Sequence, residues 1–365
     1  MVVKNRHYLV PLLLINQWLR KQLTGSILSA GLIVAALLSA CTVQDSSDNG
    51  EKTDLITDEV VIYSPAPSQI MMHAHNVELG DTLRACGIAK NIRVIPVALP
   101  DSINQINTLD ASVKPYHLPI ITTLDFKTAI EGNAPDWHGY TEKNPDLRFV
   151  ASLYDVAFGL FAVRETIQSP ADLAGKRIAV PARPSAVRWF TEALLRDGWR
   201  ILDRVTLIDM VPPEVPAAIA RGEVDVVAWN IMSETPAGYR PLLPMIFSFP
   251  GAHWLDIDLT TVEAINSANP FKTEQVVIRS DSVIGVSGQR GKTAQLLSFR
   301  QGLAAWNSTP DELITAIANC MAQADFGFGS GLAFADRQFS WPHLSPSDVH
   351  PALNVANLFS NKSLE

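Results

Sequence analysis

Polar side chains that could hold a small molecule occur where predicted strands end. Ser64 and Ser68 follow a short β-branched run, and Thr122, Thr123 and Asp125 follow another. Open parallel sheets bind ligands beyond the carboxyl ends of their strands, so we expect these residues to share one site. Asp125 is also spaced to cap the helix that should follow it, which is the alternative role for its carboxylate.

A second group of candidates occurs later in the chain. Arg183 could bind a carboxylate through two hydrogen bonds, although a solvated guanidinium is the alternative. Ser185 opens a predicted helix, where it would either present its hydroxyl and the helix amides to an anion or cap the helix. Trp229 would pack on an apolar ligand body or in the core, and Asn230 would bond the polar end of the ligand. Tyr154 is a further candidate because it lies where two lobes would meet.

Other chemistries find little support in the residue spacing. His73 and His75 are two apart, so they do not share a helix face, and surface histidines or a position near a cleft floor are the alternatives to a metal site. Residues 291–293 read Gly-Lys-Thr, but Val286 stands where a phosphate-binding loop needs its first glycine. We also find no nucleophile elbow. We therefore expect no metal, no cofactor and no catalysis.

Composition and charge narrow the class of protein. The chain has 365 residues and a net charge of −8, and an acidic surface does not favour nucleic acid. A chain of this length suits two lobes better than one core. Beyond Cys41, Cys86 and Cys320 remain, and their spacing leaves open whether they form a disulfide or two separate buried thiols.

The N-terminal region carries a targeting pattern. Residues 27–41 read ILSAGLIVAALLSAC, an apolar run preceded by Arg20 and Lys21 and too short to span a bilayer comfortably. The run resembles the signal peptide and lipobox of a bacterial lipoprotein, with an N-terminal membrane anchor as the alternative. We expect a mature periplasmic protein that begins at Cys41 and is held to a membrane by acyl chains. Thr42 rather than Asp follows Cys41, which is compatible with outer-membrane sorting and leaves the choice between inner and outer membrane open.

Strands and helices alternate after a polar stretch at residues 41–58, which reads as a flexible tether. This alternation predicts βαβ units and mainly parallel sheets. Separate strands are predicted at 147–153 and 158–164, and a helix is predicted at 293–306. The predicted division is a signal peptide (1–40), the tether (41–58), the first part of lobe 1 (59–160), lobe 2 (161–255), a return to lobe 1 (256–345) and a C-terminal tail (346–365).

One family resembles the middle of the chain. Residues 145–164 read PDLRFVASLYDVAFGLFAVR, and residues 169–180 read SPADLAGKRIAV. Together they resemble the centre of the extracytoplasmic solute-binding proteins of TRAP transporters, specifically the TAXI branch. Residues 222–230 resemble a later strand of that family. The chain departs from the family at residues 64–68, where SPAPS stands in place of a glycine-rich loop.

The resemblance implies a fold and a function. The fold would be α/β and two-lobed, like other periplasmic binding proteins, with a mainly parallel sheet flanked by helices in each lobe. The protein would be a monomer that closes on a small organic anion, a carboxylate or an amino acid, and delivers it to a TRAP-type permease. The alternatives are an ABC-type binding protein for nitrate, sulfonates or thiamine precursors, and a ligand-sensing lipoprotein that transports nothing.

Overall fold

The structure is a computed structural model that describes residues 56–66, 71–132, 138–232, 251–279, 293–323 and 344–353. Cys41 and Ser68 lie outside these ranges, as does the predicted leader. None of the helices in these ranges has both the length and the apolar character needed to cross a bilayer.

The described residues form one mixed sheet of ten strands with helices against its faces. The strand order is β2-β1-β3-β10-β4-β7-β5-β6, with β8 paired to β4 and β9 to β10. The strands are β1 (Thr57–Ser64), β2 (Ala89–Pro96), β3 (His117–Thr122), β4 (Leu147–Ala162), β5 (Arg177–Val180), β6 (Thr206–Asp209), β7 (Val226–Met232), β8 (His253–Trp254), β9 (Glu274–Arg279) and β10 (Thr293–Trp306). The helices are α1 (Met71–Ala85), α2 (Asp101–Asn107), α3 (Thr123–Glu131), α4 (Ala186–Ala193), α5 (Val215–Ala220), α6 (Leu259–Ala268) and α7 (Asp311–Gln323).

Two parallel sets of strands define two lobes. In the first lobe β1 pairs in parallel with β2 and β3, and in the second β5 pairs in parallel with β6 and β7. The long strands β4 and β10 pair antiparallel with each other and connect the two sets. The carboxyl end of β3 pairs with the carboxyl half of β10, and β7 pairs with the carboxyl half of β4. The predicted two-lobed α/β fold is confirmed.

The alternation of side chains along the strands divides the core between the faces of the sheet. Val60 and Ile62 of β1 belong to the largest apolar cluster, which also includes residues of both lobes. Val61 and Tyr63 point the other way, into a separate cluster of the first lobe. Successive strand residues face opposite sides, so a strand that is buried on both faces reads as a continuous apolar run.

Two predictions about the long strands are wrong. Residues 147–162 form one continuous strand rather than two, and residues 293–306 form β10 rather than a helix. The segment 293–306 contains good helix formers, but β10 is hydrogen-bonded to β3, β4 and β9, and tertiary pairing overrides this intrinsic preference. Both errors fall on the strands that connect the lobes.

One helix start also differs from prediction. Thr122 rather than Asp125 caps α3, and its hydroxyl accepts the hydrogen bond from the Asp125 backbone amide at 3.1 Å.

The question left open for the two cysteines is resolved: Cys86 and Cys320 form a disulfide between the end of α1 and α7.

The course of the chain suggests a different lobe boundary. α6 packs against the turn at Leu194–Gly198 in the second lobe, and β9 pairs with the first residues of β10. We propose that the second lobe continues to about residue 298 and that the chain returns to the first lobe along β10, rather than at residue 256.

Candidate functional site

A cavity of about 330 Å³ lies at the carboxyl ends of the strands of both lobes. Its walls are the segments that follow β1, β2 and β3 in the first lobe, those that follow β5 and β6 in the second, and parts of β7 and β10. The residues that line the cavity include Ala66, Met72, Leu99, Thr122, Asp125, Ser185, Val187, Trp229, Asn230, Phe299 and Gln301. The cavity is therefore shared between the lobes, as the rule for open parallel sheets predicts.

Most of the cavity wall is apolar. The lining residues that carry polar side-chain groups are Thr122, Asp125, Ser185, Trp229, Asn230 and Gln301. Within the described part of the chain, the lining residues include no lysine, arginine or histidine. A solute in this cavity would thus meet hydroxyl, amide, indole and carboxylate groups rather than a cation.

Asp125 bridges the cavity and the protein interior. Its carboxylate accepts hydrogen bonds from the Thr122 hydroxyl at 2.5 Å and from His138 Nε2 at 2.8 Å, and its side chain is fully buried. The Tyr140 hydroxyl donates to the same carboxylate at 3.3 Å. Burial raises the pKa of Tyr140 well above its usual value, and the charge and hydrogen bond of Asp125 raise it further, so the phenol stays protonated.

The start of α4 forms the opposite wall. Ser185 takes the N-cap position with an extended backbone, but its side chain makes no capping hydrogen bond. Its hydroxyl therefore stays available for a solute, alongside the amides of the first turn. Trp229 and Asn230 also line this side, and the buried indole Nε1 of Trp229 has no hydrogen-bond partner among the residues that the structure describes.

Arg183 faces a neighbouring cluster rather than the cavity wall. Its guanidinium bonds Glu192 Oε1 at 2.7 Å, and the Arg188 Nε bonds the same oxygen at 2.6 Å. Arg188 also bonds Asp209. The side chain of Glu192 is almost wholly buried, so the two guanidinium groups neutralise a charge that would be costly alone. Arg183 is absent from the residues that line the cavity.

Two other candidates belong to a buried polar chain. The Asn76 side-chain amide donates to Ser64 Oγ at 2.9 Å, and the Tyr154 hydroxyl lies 3.2 Å from Asn76 Oδ1. The Tyr154 hydroxyl also donates to Gln301 Oε1 at 2.5 Å. Of these four residues, Gln301 lines the cavity. Ser64 and Tyr154 are thus connected to the cavity through Gln301.

Sequence reasoning missed Gln301, because residues 293–306 were assigned to a helix. In the structure Gln301 lies opposite Thr122 on β3 and opposite Tyr154 on β4. Phe299, two residues earlier on β10, was missed for the same reason.

Thr123 lies at a second pocket of about 300 Å³ on another side of α3. Phe126, Lys127, Pro270 and Lys272 also line this pocket. Lys127 is paired with Asp348 at 2.6 Å. The structure therefore separates Thr123 from Thr122, which lines the large cavity.

The histidines on α1 do not form a metal site in the described residues, where no group of three His, Cys, Asp or Glu side chains could hold an ion. Burial lowers the pKa of both His73 and His75, and the neighbouring Glu78 offsets this in part for His75.

The comparisons with known proteins give a family model over part of the chain and solved structures of low sequence identity. The model of the family described as "NMT1/THI5 like" matches residues 134–237, which contain β4 to β7 and the Asp172–Arg177 element. No curated protein matches the chain.

Several solved structures resemble most of the chain. MatC from Rhodopseudomonas palustris with bound malate has a TM-score of 0.45 and 12% identity, over 75% of this chain and 89% of that one. A second R. palustris protein, solved with adipate, has a TM-score of 0.45 and 15% identity, over 77% and 91%. The sulfonate-binding protein SsuA from Methylobacillus flagellatus has a TM-score of 0.40 and 16% identity, over 78% and 73%.

Proposed function

We propose that the protein is a solute-binding component of a transport system that captures one small molecule between its lobes. The observation that carries this proposal is the cavity of about 330 Å³ whose walls come from the strand ends of both lobes. A molecule held by both walls favours the closed arrangement, because a ligand shifts an equilibrium toward the state that it contacts most. β4 and β10, which connect the lobes, are the elements that would bend.

The solute is proposed to be a small organic acid or an amino acid with an apolar body. Ala66, Met72, Leu99 and Phe299 offer contacts to the apolar body. Because no cationic side chain lines the described cavity, the carboxylate of the solute would be bound by hydroxyls and helix amides near Ser185 rather than by Arg183.

The proposed partner is a TRAP-type permease. The proposed location is the outer face of the cytoplasmic membrane or the periplasmic face of the outer membrane, with a lipid anchor at Cys41.

A second candidate function is that of an ABC-type binding protein. Residues 172–177 support it, because their sequence DLAGKR resembles an element of ABC-type binding proteins and lies within the range that the "NMT1/THI5 like" model matches. Uptake measured with each class of permease co-expressed would separate the two.

A ligand screen tests solute capture directly. The purified protein is heated with organic acids and amino acids, and a true ligand at a hundred times its Kd should raise the free energy of unfolding by about 2.7 kcal/mol. The radius of gyration from X-ray scattering should fall with the same compound.

Substitution at the cavity provides the control for that screen. Ser185→Trp should fill the cavity and abolish both effects, because Ser185 forms part of its wall. Thr206→Trp places the same ring on an exposed strand residue away from the cavity and should leave both effects intact. If Ser185→Trp binds the ligand as well as the wild type does, the cavity is not the capture site.

A further inference from the structure

We propose that the indole N–H of Trp229 is the hydrogen-bond donor that selects the solute by an acceptor atom. The proposal rests on the proposed function, since it assigns chemistry within the same cavity. It predicts a solute whose apolar body carries a carboxylate or carbonyl oxygen, and it predicts that the matching amine binds more weakly.

The indole nitrogen of Trp229 is a buried donor that the described residues leave unpaired. Trp229 is one of the residues that line the cavity. Of the side-chain polar atoms on the described lining residues, its Nε1 is the one that is both buried and without a hydrogen-bond partner. Such a donor costs free energy while it is unpaired, so an acceptor brought by the solute recovers that cost. Because the atom is shielded from water, the hydrogen bond would also be stronger than an exposed one.

The indole differs in kind from the other uncharged polar groups of the cavity. An indole nitrogen can only donate, whereas a hydroxyl or a side-chain amide can donate or accept. Ser185, Asn230 and Gln301 carry hydroxyl or amide groups, so they can adapt to either kind of solute group. Trp229 cannot adapt, and it is therefore the group that requires an acceptor.

Packing behind the ring holds this donor in place. Trp229 lies on β7 opposite Gly159 of β4. Its ring packs against an apolar cluster that contains Val227, Ile231 and Trp254. A close-packed ring has few alternative orientations, so the donor is preorganised and little entropy is lost when an acceptor binds.

The carboxylate of Asp125 is the group in the cavity that could favour an amine instead. This carboxylate already accepts hydrogen bonds from the Thr122 hydroxyl, from His138 Nε2 and from the Tyr140 hydroxyl. Three donors satisfy most of what a carboxylate can accept, whereas the indole of Trp229 has no partner among the described residues. We therefore expect Trp229 rather than Asp125 to set the preference.

Calorimetry with two matched series of probes tests the preference. One series is phenylacetate, phenylacetamide and phenethylamine, and the other is 3-methylbutanoate, 3-methylbutanamide and 3-methylbutylamine. In at least one series the acid or the amide should bind the wild type at least tenfold more tightly than the amine does. A wild type that prefers the amine would indicate that Asp125 sets the preference, and it would overturn the proposal.

Trp229→Phe separates the donor from the aromatic ring. Phenylalanine keeps a ring but lacks the N–H, so the preference for the acid or amide over the amine should fall about tenfold. A residue that only packs on the apolar body would lower the affinity for all three probes together and leave the preference unchanged. Trp199→Phe is the matched control and should change neither quantity, because Trp199 is a half-buried tryptophan of the second lobe that is not among the residues lining the cavity.

Nuclear magnetic resonance of the indole groups gives a readout that is independent of affinity. The proton–nitrogen resonance of the Trp229 indole is identified as the one that is missing from the spectrum of Trp229→Phe. When a probe binds, this proton should move downfield as a new hydrogen bond forms, and the indole resonance of Trp199 should stay in place. A Trp229 resonance that does not move when the cavity is occupied contradicts the proposal. The preference of the wild type needs no variant, so it remains a test if Trp229→Phe does not fold.

The outcomes separate this inference from the proposed function. If a solute closes the lobes but neither its affinity for Trp229→Phe nor the Trp229 resonance responds, the role of Trp229 is wrong and capture stands. If no probe binds, the same measurements are made with the solute from the ligand screen, and a solute without a carboxylate or carbonyl oxygen overturns the role of Trp229. If the screen also finds no solute, both proposals fail.

Discussion

Asp125 shows how one side chain can serve both a cavity and a core. From the sequence it reads as a helix cap or a ligand residue, yet the cap is Thr122 and the Asp125 carboxylate gathers donors from three residues. His138, one of those donors, is fully buried and packs against Trp189 with ring centroids 4.7 Å apart. The wall of the cavity near Asp125 is therefore held in part by His138 and Tyr140, which do not line the cavity.

Removing that carboxylate should destabilise the fold. Asp125→Ala leaves the donors of Thr122, His138 and Tyr140 without their acceptor in a buried site, where each unpaired group is expensive. We expect a loss of about 3 kcal/mol in the free energy of unfolding by urea titration. Asp203→Ala, on an exposed turn, should cost less than about 0.5 kcal/mol. Similar values for both variants would contradict the role given to Asp125.

His350 should make stability depend on pH. Burial lowers its pKa, and the hydrogen bond to the Trp306 carbonyl offsets this in part. Its Nδ1 accepts from the Ala352 amide, which requires the neutral ring. The unfolded chain therefore takes up the proton first, so this contribution is complete above a pH of about 6.5 and is lost as the pH falls toward the folded pKa.

The pH profile of unfolding checks this expectation. The free energy of unfolding of the wild type should fall between about pH 7 and pH 5 more steeply than that of His350→Gln, which keeps polar groups but does not titrate. Parallel profiles would show that His350 does not contribute to the slope.

At the scale of elements, β10 separates what the sequence could predict from what it could not. The α/β alternation and the strands at the two ends of the sheet follow from local periodicity and from glycine and proline positions. β10 does not, because its residues include strong helix formers, and its strand conformation depends on β3, β4 and β9, which are distant in sequence. Thr122, Ser185 and Trp229 could be proposed from strand ends, whereas Gln301 depended on β10.

Gly302 limits what β10 can accommodate. A Cβ atom there would meet Phe149 Cε2 at 2.3 Å and the Ala151 carbonyl oxygen at 2.7 Å. Because a backbone oxygen cannot move aside cheaply, Gly302→Ala should cost about 2–3 kcal/mol by chemical denaturation. Gly159→Ala on β4 is the matched control, since its nearest contact, Leu296 Cδ2 at 2.6 Å, is the end of a side chain. Gly159→Ala should cost less, and the reverse order would contradict this reading.

The disulfide should stabilise the first lobe. Cys86 and Cys320 are 234 residues apart in sequence, so the bond closes a long loop in the unfolded chain. Reduction with dithiothreitol should lower the free energy of unfolding by about 3 kcal/mol. The double variant Cys86→Ser, Cys320→Ser should show the same loss without reductant and no response to it. A wild type that is insensitive to reduction would contradict the stabilising role.

At the scale of the whole molecule, the two lobes share both their strands and their cavity. β4 and β10 pair with each other along most of their length. In its carboxyl half, β10 also pairs with β3 of the first lobe, and β4 also pairs with β7 of the second lobe. A solute that contacts Gln301 and Ser185 therefore touches a connecting strand and the second lobe at once. If the protein delivers its solute to a permease as proposed, an anchor at Cys41 would hold it close to that partner, which is the reason to test the anchor.

The anchor prediction concerns Cys41, which lies outside the described residues. If residues 27–41 act as a lipobox, cells grown with labelled palmitate should label the wild type, and Cys41→Ser should lose both the label and its place in the membrane fraction. Cys86→Ser removes a cysteine that the disulfide uses and should keep the label. An uncleaved membrane anchor predicts the opposite pattern, with no label on the wild type and with Cys41→Ser still in the membrane. A Cys41→Ser protein that still incorporates label at the membrane would place the acyl chain on another residue and remove Cys41 as the anchor.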